Sequence, residues 1–168
     1  MKAFIIEKFT IMFENELGKY YNKGFFTFKY WESFTEKCNA PIDQSGVYLI
    51  YKIADDKETL IYIGSSGQRN NDGTLKTRKD GIYGRLVKGY HPNRFGQQKR
   101  IQRQRAFPMQ MQAEKITEIK IYWWITYDEP HSDFPTDVDE ILKRKYCALF
   151  KTLPTWHQNK VENPVINL

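Results

Sequence analysis

Two short runs of β-branched and aromatic residues, separated by a polar segment, constrain this chain more than any other feature. The runs are residues 47–51 and 60–63, and the polar segment is 54–59. Such runs favour extended strands, and two of them joined by a short polar segment predict a β-hairpin. Gly46 opens the first run and Gly64 closes the second. Glycine at a strand end is typical of a tight bend or a close approach by another group.

The two glycines belong to a pair of matching tripeptides. Gly46-Val47-Tyr48 and Tyr62-Ile63-Gly64 together resemble the signature of the GIY-YIG nuclease superfamily. The resemblance implies an α+β fold with a small central antiparallel three-stranded sheet flanked by helices. It also implies hydrolysis of DNA phosphodiester bonds with Mg²⁺, or Mn²⁺, as the cofactor. The interval between the tyrosines is a few residues longer than is usual in the family, which a longer hairpin turn would absorb.

The length of 168 residues suits a single domain that can bury its own core. Apolar residues from Phe4 to Leu17 recur at helical spacing, and Gly18 is a candidate end for that helix. An aromatic run at 24–31 favours a strand. The expected parts are an N-terminal accessory region at 1–40 and a nuclease core at 41–168, which includes a basic insertion at 65–80 and a basic helix at 93–105.

Positive charge is concentrated in one part of the chain. The net charge is +6 with a pI near 9.2, and eleven basic residues but only two acidic ones lie between Ser66 and Arg105. This distribution predicts a DNA partner, because Lys and Arg neutralise backbone phosphates. A solvated basic face is the structural alternative. The candidate DNA-binding residues are Lys76, Arg78, Lys79, Lys88, Arg94, Lys99, Arg100 and Arg103.

The chain contains two cysteines, Cys38 and Cys147, without the spacing of a disulfide framework or a zinc site. Its first residues are too soon interrupted by charge to be a signal peptide, and no apolar run approaches the roughly 18 residues of a membrane span. We therefore expect a cytoplasmic protein that is not bound to a membrane.

A helix at 81–88 is expected to carry the arginine that, in the family, points toward the scissile phosphate. The resemblance assigns this role to Arg85, because a guanidinium offers a fork of donors that matches two phosphate oxygens. Arg78 could fill the same role if the helix began earlier. The family often places a His or Tyr one turn after its arginine. Tyr90 and His91 are the candidates for that position, although Pro92 indicates that the helix has already ended.

The third strand of the sheet is predicted at 119–127, and a long helix is predicted from Val138 to Leu153 with Leu142, Tyr146, Leu149 and Leu153 on its buried face. The family places its metal-binding glutamate on the equivalent helix. Glu140 is the only glutamate there, with Asp137 and Asp139 beside it. Asp137 and Glu140 also have the spacing of a capping box, which would give Glu140 a structural role.

The resemblance further implies that Asn159, after Pro154, helps to hold the active site. Either Tyr48 or Tyr62 would take the proton of the attacking water. We expect a sequence-specific restriction-type enzyme that acts as a homodimer, because no separate DNA-reading domain is evident. The alternatives are a nuclease of low sequence specificity, one specific for structured or single-stranded DNA, and an inactive DNA-binding protein on the same scaffold.

Overall fold

The computed structural model describes residues 12–92 and 100–157. Within them the chain forms five α-helices, a four-stranded sheet and two short two-stranded ribbons. The helices are α1 (Glu14–Leu17), α2 (Phe34–Lys37), α3 (Gly81–Lys88), α4 (Arg103–Ala113) and α5 (Pro135–Phe150). The strands are β1 (Lys23–Lys29), β2 (Ser45–Ala54), β3 (Lys57–Ser66), β4 (Gln68–Arg69), β5 (Leu75–Lys76), β6 (Tyr90–Pro92), β7 (Arg100–Gln102) and β8 (Glu118–Tyr127), and a 3₁₀ turn follows at Thr155–His157.

The central sheet has the strand order β1-β8-β2-β3, with every neighbouring pair antiparallel. The α+β class is confirmed, but the expected number of three strands was wrong. The fourth strand is β1, which comes from the region predicted to be accessory. It pairs with β8 from Lys23 opposite Trp124 to Lys29 opposite Glu118. The aromatic run of the N-terminal region is therefore part of the sheet.

The predicted hairpin is formed by β2 and β3. Asp55 and Asp56 make its turn, and both have positive φ angles, of 51° and 59°. Two consecutive residues in this conformation give the tight turn that matches the twist of antiparallel strands. A register shift between Ile50 and Tyr51 accommodates the extra length of the hairpin. The expected longer hairpin turn was wrong: the turn has two residues, and the longer interval between the two tripeptides lies in the strands.

The two faces of the sheet pack against different helices. Tyr48 and Ile50 lie on the face that contacts α3, α4 and Trp156. Val47 and Leu49 lie on the opposite face, which contacts α1 and α5. Side chains alternate between faces along a strand, so this arrangement follows from the register of β2. Tyr48 consequently lies on the face that carries the arginine-bearing helices α3 and α4.

The helix α5 differs from its prediction at both ends. It begins at Pro135, three residues before the predicted start, with Phe134 at the N-cap and proline at the first helical position, which favours that start. It ends at Phe150 rather than Leu153. Leu142 is buried as predicted, but Leu149 is 57% exposed and does not belong to the buried face.

The two basic segments have more strand than expected. The insertion predicted as a loop at 65–80 contains the end of β3 and the β4–β5 ribbon. The basic helix predicted at 93–105 was wrong at Arg100–Gln102, which form β7 and pair with β6, whereas residues 103–105 are helical and begin α4. Residues 93–99 lie outside the described residues, as does most of the predicted N-terminal helix, of which only α1 is described; Gly18 caps α1 as predicted.

The described residues contain no helix that is long and apolar enough to cross a membrane. Cys38 is buried and Cys147 is half-buried, and both are free thiols.

Candidate active site

The hairpin brings the two signature tyrosines together. Their rings stack with centroids 6.1 Å apart and planes inclined by 22°. Tyr48 lies directly opposite Gly64 across the β2–β3 pair, and a Cβ on Gly64 would stand 2.4 Å from the Cζ of Tyr48. A Cβ on Gly46 would stand 1.9 Å from the carbonyl oxygen of Trp124. Both glycines of the signature therefore leave room for close approaches that a side chain would block.

Arg103, the first residue of α4, lies between the tyrosines. Its Nη1 donates a hydrogen bond to the hydroxyl oxygen of Tyr48, and its Nη2 donates to that of Tyr62 at 3.1 Å. Only 2% of the residue is exposed. Its guanidinium carbon lies 5.3 Å from the centre of the Tyr62 ring and 5.8 Å from that of Phe107. One buried cation thus contacts both phenols.

The surroundings influence the ionisation of these groups. Burial raises the pKa of Tyr62, and the neighbouring Tyr48 adds to this rise, while the charges of Arg103 and Arg85 oppose it. Tyr62 is therefore protonated at neutral pH. Burial works against the charge of Arg103, but the two tyrosines outweigh it, so the pKa of Arg103 lies above its usual value.

Two further arginines lie near this pair of rings. Arg85 of α3 is half-buried, and its Nε is buried without a hydrogen-bond partner in the described part of the chain. Arg78 is exposed. Partial burial and the positive charges of Arg85 and Arg103 lower the pKa of Arg78, so the three guanidinium groups are close enough to repel one another. Such a group of cations beside two phenols is suited to bind an anion.

The carboxylate close to this group belongs to Asp139, on the second turn of α5. Its side chain is 13% exposed, and Oδ2 accepts a hydrogen bond from Lys143 at 2.6 Å. Its other oxygen, Oδ1, is buried without a hydrogen-bond partner among the described residues. Burial raises the pKa of Asp139, and the positive charges of Lys143 and Arg85 only partly offset that rise. Asp139 is therefore a buried acid within electrostatic reach of Arg85.

The predicted metal ligand, Glu140, faces solvent. Its side chain is 60% exposed and forms an ion pair with Arg144, four residues further along α5. Asp137, the other half of the predicted capping box, pairs instead with Arg69 at 2.7 Å. Neither carboxylate makes a hydrogen bond with the tyrosines or arginines of the site.

His157 completes the group on the far side of Tyr62. The imidazole lies parallel to the Tyr62 ring, with centroids 4.2 Å apart and planes inclined by 10°. The backbone N–H of Ile63 donates to its Nε2 at 3.0 Å. Because Nε2 is an acceptor here, the imidazole is neutral and carries its proton on Nδ1. His157 therefore fixes both the ring plane of Tyr62 and the strand that carries it.

The other predicted site residues that the structure describes lie in β6, in β7 and on the exposed surface. His91 lies in β6 with its backbone opposite Ile101, and Tyr90 is 53% exposed. Lys76, Lys79 and Lys88 are exposed, and Lys88 pairs with Asp80 at 2.7 Å. Arg100 pairs through β7 with Pro92. The residues outside the described part of the chain are Arg94, Lys99 and Asn159.

Sequence reasoning missed the roles of three residues. Asp139 could have been found from helical phase, because it lies three residues before the buried Leu142 and therefore near the same face. Arg103 was predicted to bind DNA at the surface, and nothing local shows that it contacts a tyrosine 55 residues away. His157 was passed over in favour of Asn159, two residues beyond it.

No family model, curated protein or solved structure matches this chain. Membership of the GIY-YIG superfamily therefore stays a prediction, carried by the two tripeptides and by the residues around them.

Proposed function

We propose that this protein is a divalent-metal-dependent DNA endonuclease. The proposal is carried by one observation: Tyr48, Tyr62 and a group of three arginines come together at the Gly64 end of the hairpin, with the buried carboxylate of Asp139 within electrostatic reach of Arg85. A phosphodiester is an anion whose hydrolysis adds negative charge to the phosphoryl oxygens. Fixed cations that need no reorganisation are the main means of stabilising such a transition state.

Each of these arginines and tyrosines can contribute to phosphodiester hydrolysis. Arg85 is half-buried and its Nε has no hydrogen-bond partner in the described part of the chain, so we assign it to a nonbridging phosphate oxygen. Arg78 is exposed and would contact the DNA backbone next to it. Tyr62 is half-buried and stays protonated, so it can donate a hydrogen bond to the phosphate, while the fully buried Tyr48 holds Arg103 and the Tyr62 ring in place. The proton of the attacking water passes to solvent. The water oxygen bonds to phosphorus as the bond to the 3′ oxygen breaks, and that oxygen leaves with a proton from solvent.

The residues present also fit a magnesium ion. Mg²⁺ commonly binds through one or two carboxylates, keeps several waters and takes its other ligands from substrate phosphates. The described residues contain no group of three acidic, His or Cys side chains that could hold a metal alone. Asp139 supplies a buried carboxylate oxygen that has no partner among the described residues, so it is a better candidate ligand than Glu140. When bound, the metal supplies charge neutralisation at the phosphate and the leaving oxygen.

The exposed basic residues extend from this site. Ser66 donates to the carbonyl oxygen of Gly81 at 2.9 Å, and the Ser45 hydroxyl lies 3.4 Å from that of Thr77. These contacts hold residues 77–81 against the end of the hairpin that carries the tyrosines. Lys76 and Lys79 are therefore next to the site, and we include them in the DNA-binding surface.

We further propose that the enzyme is a sequence-specific homodimer of the restriction type. A double-strand cut needs two active sites, and the described part of one chain has one candidate site. Light scattering with and without DNA tests the oligomeric state: a monomer in both conditions would contradict the dimer.

The decisive experiment is incubation with plasmid and genomic DNA in the presence of Mg²⁺ or of EDTA. Discrete bands that appear with Mg²⁺ but not with EDTA support a restriction enzyme. A smear that appears under the same condition supports a nuclease of low specificity. DNA that is bound but intact under all conditions would overturn the nuclease and leave a binding protein.

A further inference from the structure

Arg103 differs from the other two arginines of the site in what it can reach. Arg78 is exposed and Arg85 is half-buried, but only 2% of Arg103 is exposed. A side chain this deep cannot contact a phosphate at the surface of the site. Its role must therefore be exerted on the residues around it.

We propose that Arg103 is a positioning residue that acts through Tyr48 and Tyr62, by holding both phenol oxygens as hydrogen-bond acceptors. The proposal rests on the proposed nuclease activity and identifies the residue that orders its active site.

The argument concerns the direction of the two phenol O–H bonds. A guanidinium has only donors, whereas a phenol can donate one hydrogen bond and also accept. Each phenol oxygen that accepts from Arg103 must therefore point its own hydrogen away from Arg103. A Gln, Ser or His in the same place could accept from the phenols and turn those hydrogens inward. Arg103 thus fixes the direction of both O–H bonds and keeps that of the half-buried Tyr62 available to groups that enter the site, while Tyr48 is fully buried.

Arg103 also connects a third part of the site. Its backbone N–H donates to the carbonyl oxygen of Gly89 at 2.8 Å, just beyond the end of α3. Its Nη1 lies 3.5 Å from the carbonyl oxygen of Arg85. One residue therefore ties the start of α4 to β2, to β3 and to the helix that presents Arg85.

The energetics favour a functional role over a packing role. Taking a guanidinium out of water is costly, and a carboxylate usually offsets that cost. None of the carboxylates in the described residues pairs with Arg103, and its Nε is buried without a partner there. An apolar side chain of similar length would fill the space without this cost. An arginine at this position therefore makes the folded protein less stable than an apolar side chain would, and it provides the hydrogen bonds to the phenols.

The first test compares Arg103→Met with Arg105→Met. Both remove one positive charge from α4, but Arg105 is exposed. We expect the melting temperature of Arg103→Met to stay within a few degrees of wild type, while its cleavage rate at saturating DNA falls at least about 100-fold. KM should change little, because Arg103 does not reach the DNA. Cleavage by Arg103→Met at the rate of Arg105→Met would overturn the proposal.

A triple mutant separates action through the tyrosines from direct action on the substrate. In a background that carries both Tyr48→Phe and Tyr62→Phe, Arg103→Met should slow single-turnover cleavage by less than about 3-fold, because residues that act as a unit are not additive. A full additional loss would show that Arg103 acts independently and would overturn the proposal. If Arg103→Met does not fold, Arg103→Lys replaces it, since one ammonium group cannot span both phenol oxygens in the same geometry.

A measurement without cleavage keeps this proposal distinct from the nuclease assignment. In spectra of protein with isotope-labelled tyrosine, the Tyr48 and Tyr62 signals are identified by their loss in the two Phe variants. We expect both signals to shift in Arg103→Met and neither to shift in Arg105→Met. Unshifted signals would overturn the role of Arg103 even in an active nuclease. Shifted signals in a protein that does not cut DNA would support it and contradict only the nuclease.

Discussion

The ring of Tyr48 lies across Gly64, its direct partner on the neighbouring strand, where a Cβ would stand 2.4 Å from the Cζ of Tyr48 and 2.5 Å from its hydroxyl oxygen. The last glycine of the signature is therefore a spatial requirement of the first tyrosine. The two tripeptides are one structural unit, although fifteen residues lie between Tyr48 and Gly64 in the sequence.

Gly64→Ala should displace the Tyr48 ring and break its contact with Arg103. We expect a loss of stability of about 1–3 kcal/mol, as for overpacking of a buried site, together with a loss of cleavage larger than the unfolded fraction explains. Urea denaturation and plasmid cleavage measure the two effects. Ser65→Ala, one residue along the same strand, is the control. Normal cleavage by Gly64→Ala would show that the position of the ring does not matter.

Tyr48→Phe and Arg85→Ala should bind DNA but cleave it at least about 100-fold more slowly, because Arg85 acts on the reacting phosphate and the Tyr48 hydroxyl holds Arg103 in place. Gel-shift affinity in EDTA and cleavage in Mg²⁺ separate binding from catalysis. A variant that cuts at nearly the wild-type rate would remove that residue from the mechanism.

Asp139→Asn and Glu140→Gln form a matched pair on α5. Asp139→Asn should abolish cleavage, whereas Glu140→Gln should retain most of it, because Glu140 is exposed and paired with Arg144. The raised pKa of Asp139 means that its ionised form costs the folded protein free energy at neutral pH. The Asn variant should therefore melt no lower than wild type. The opposite pattern of cleavage would return the metal site to Glu140.

Magnesium binding tests the same carboxylate without an assay of activity. Mg²⁺ together with uncleavable DNA should raise the melting temperature of wild type above that with DNA alone, because a ligand that binds only the folded state stabilises it. The extra increase should disappear in Asp139→Asn and persist in Glu140→Gln. An equal increase in all three proteins would place the metal elsewhere.

The double charge reversal Lys76→Glu with Lys79→Glu should weaken DNA binding and flatten its salt dependence. Each lost phosphate contact changes the log–log slope by roughly 0.9 for duplex DNA. Lys57→Glu is the control, because this exposed residue lies at the far end of β3, about 30 Å from Ser66 at roughly 3.3 Å per residue. A slope unchanged by the double reversal would show that DNA binds another surface.

His157→Phe and His157→Ala distinguish the two contacts of this imidazole. The Phe variant keeps a flat ring against Tyr62 but loses the acceptor for the Ile63 N–H, and the Ala variant loses both. We expect the cleavage rate to be highest in wild type, lower in His157→Phe and lowest in His157→Ala. If the two variants lose activity equally, the hydrogen bond rather than the stacking holds Tyr62 in place.

The parts of the fold that sequence predicted correctly depend on neighbours along the chain. The hairpin follows from two β-prone runs and a polar turn, and α3 begins at Gly81, where its apolar spacing indicates. The β1 strand was recognised as β-prone, but its place in the sheet was not. Its partner β8 lies about ninety residues later, and any exposed strand edge could have accepted it.

The sequence by itself determined the hairpin, the requirement for Gly46 and Gly64, and the two tyrosines, because strand alternation and backbone sterics act over a few residues. Only the tertiary structure decided which charges face those tyrosines. Asp139 and Glu140 are adjacent in sequence, but about 100° apart around the helix, and the packing of α5 places one near Arg85 and the other in solvent. Arg103 is surrounded by basic residues in the sequence. It is buried only because α4 packs its first residue against Tyr48 of β2 and Tyr62 of β3.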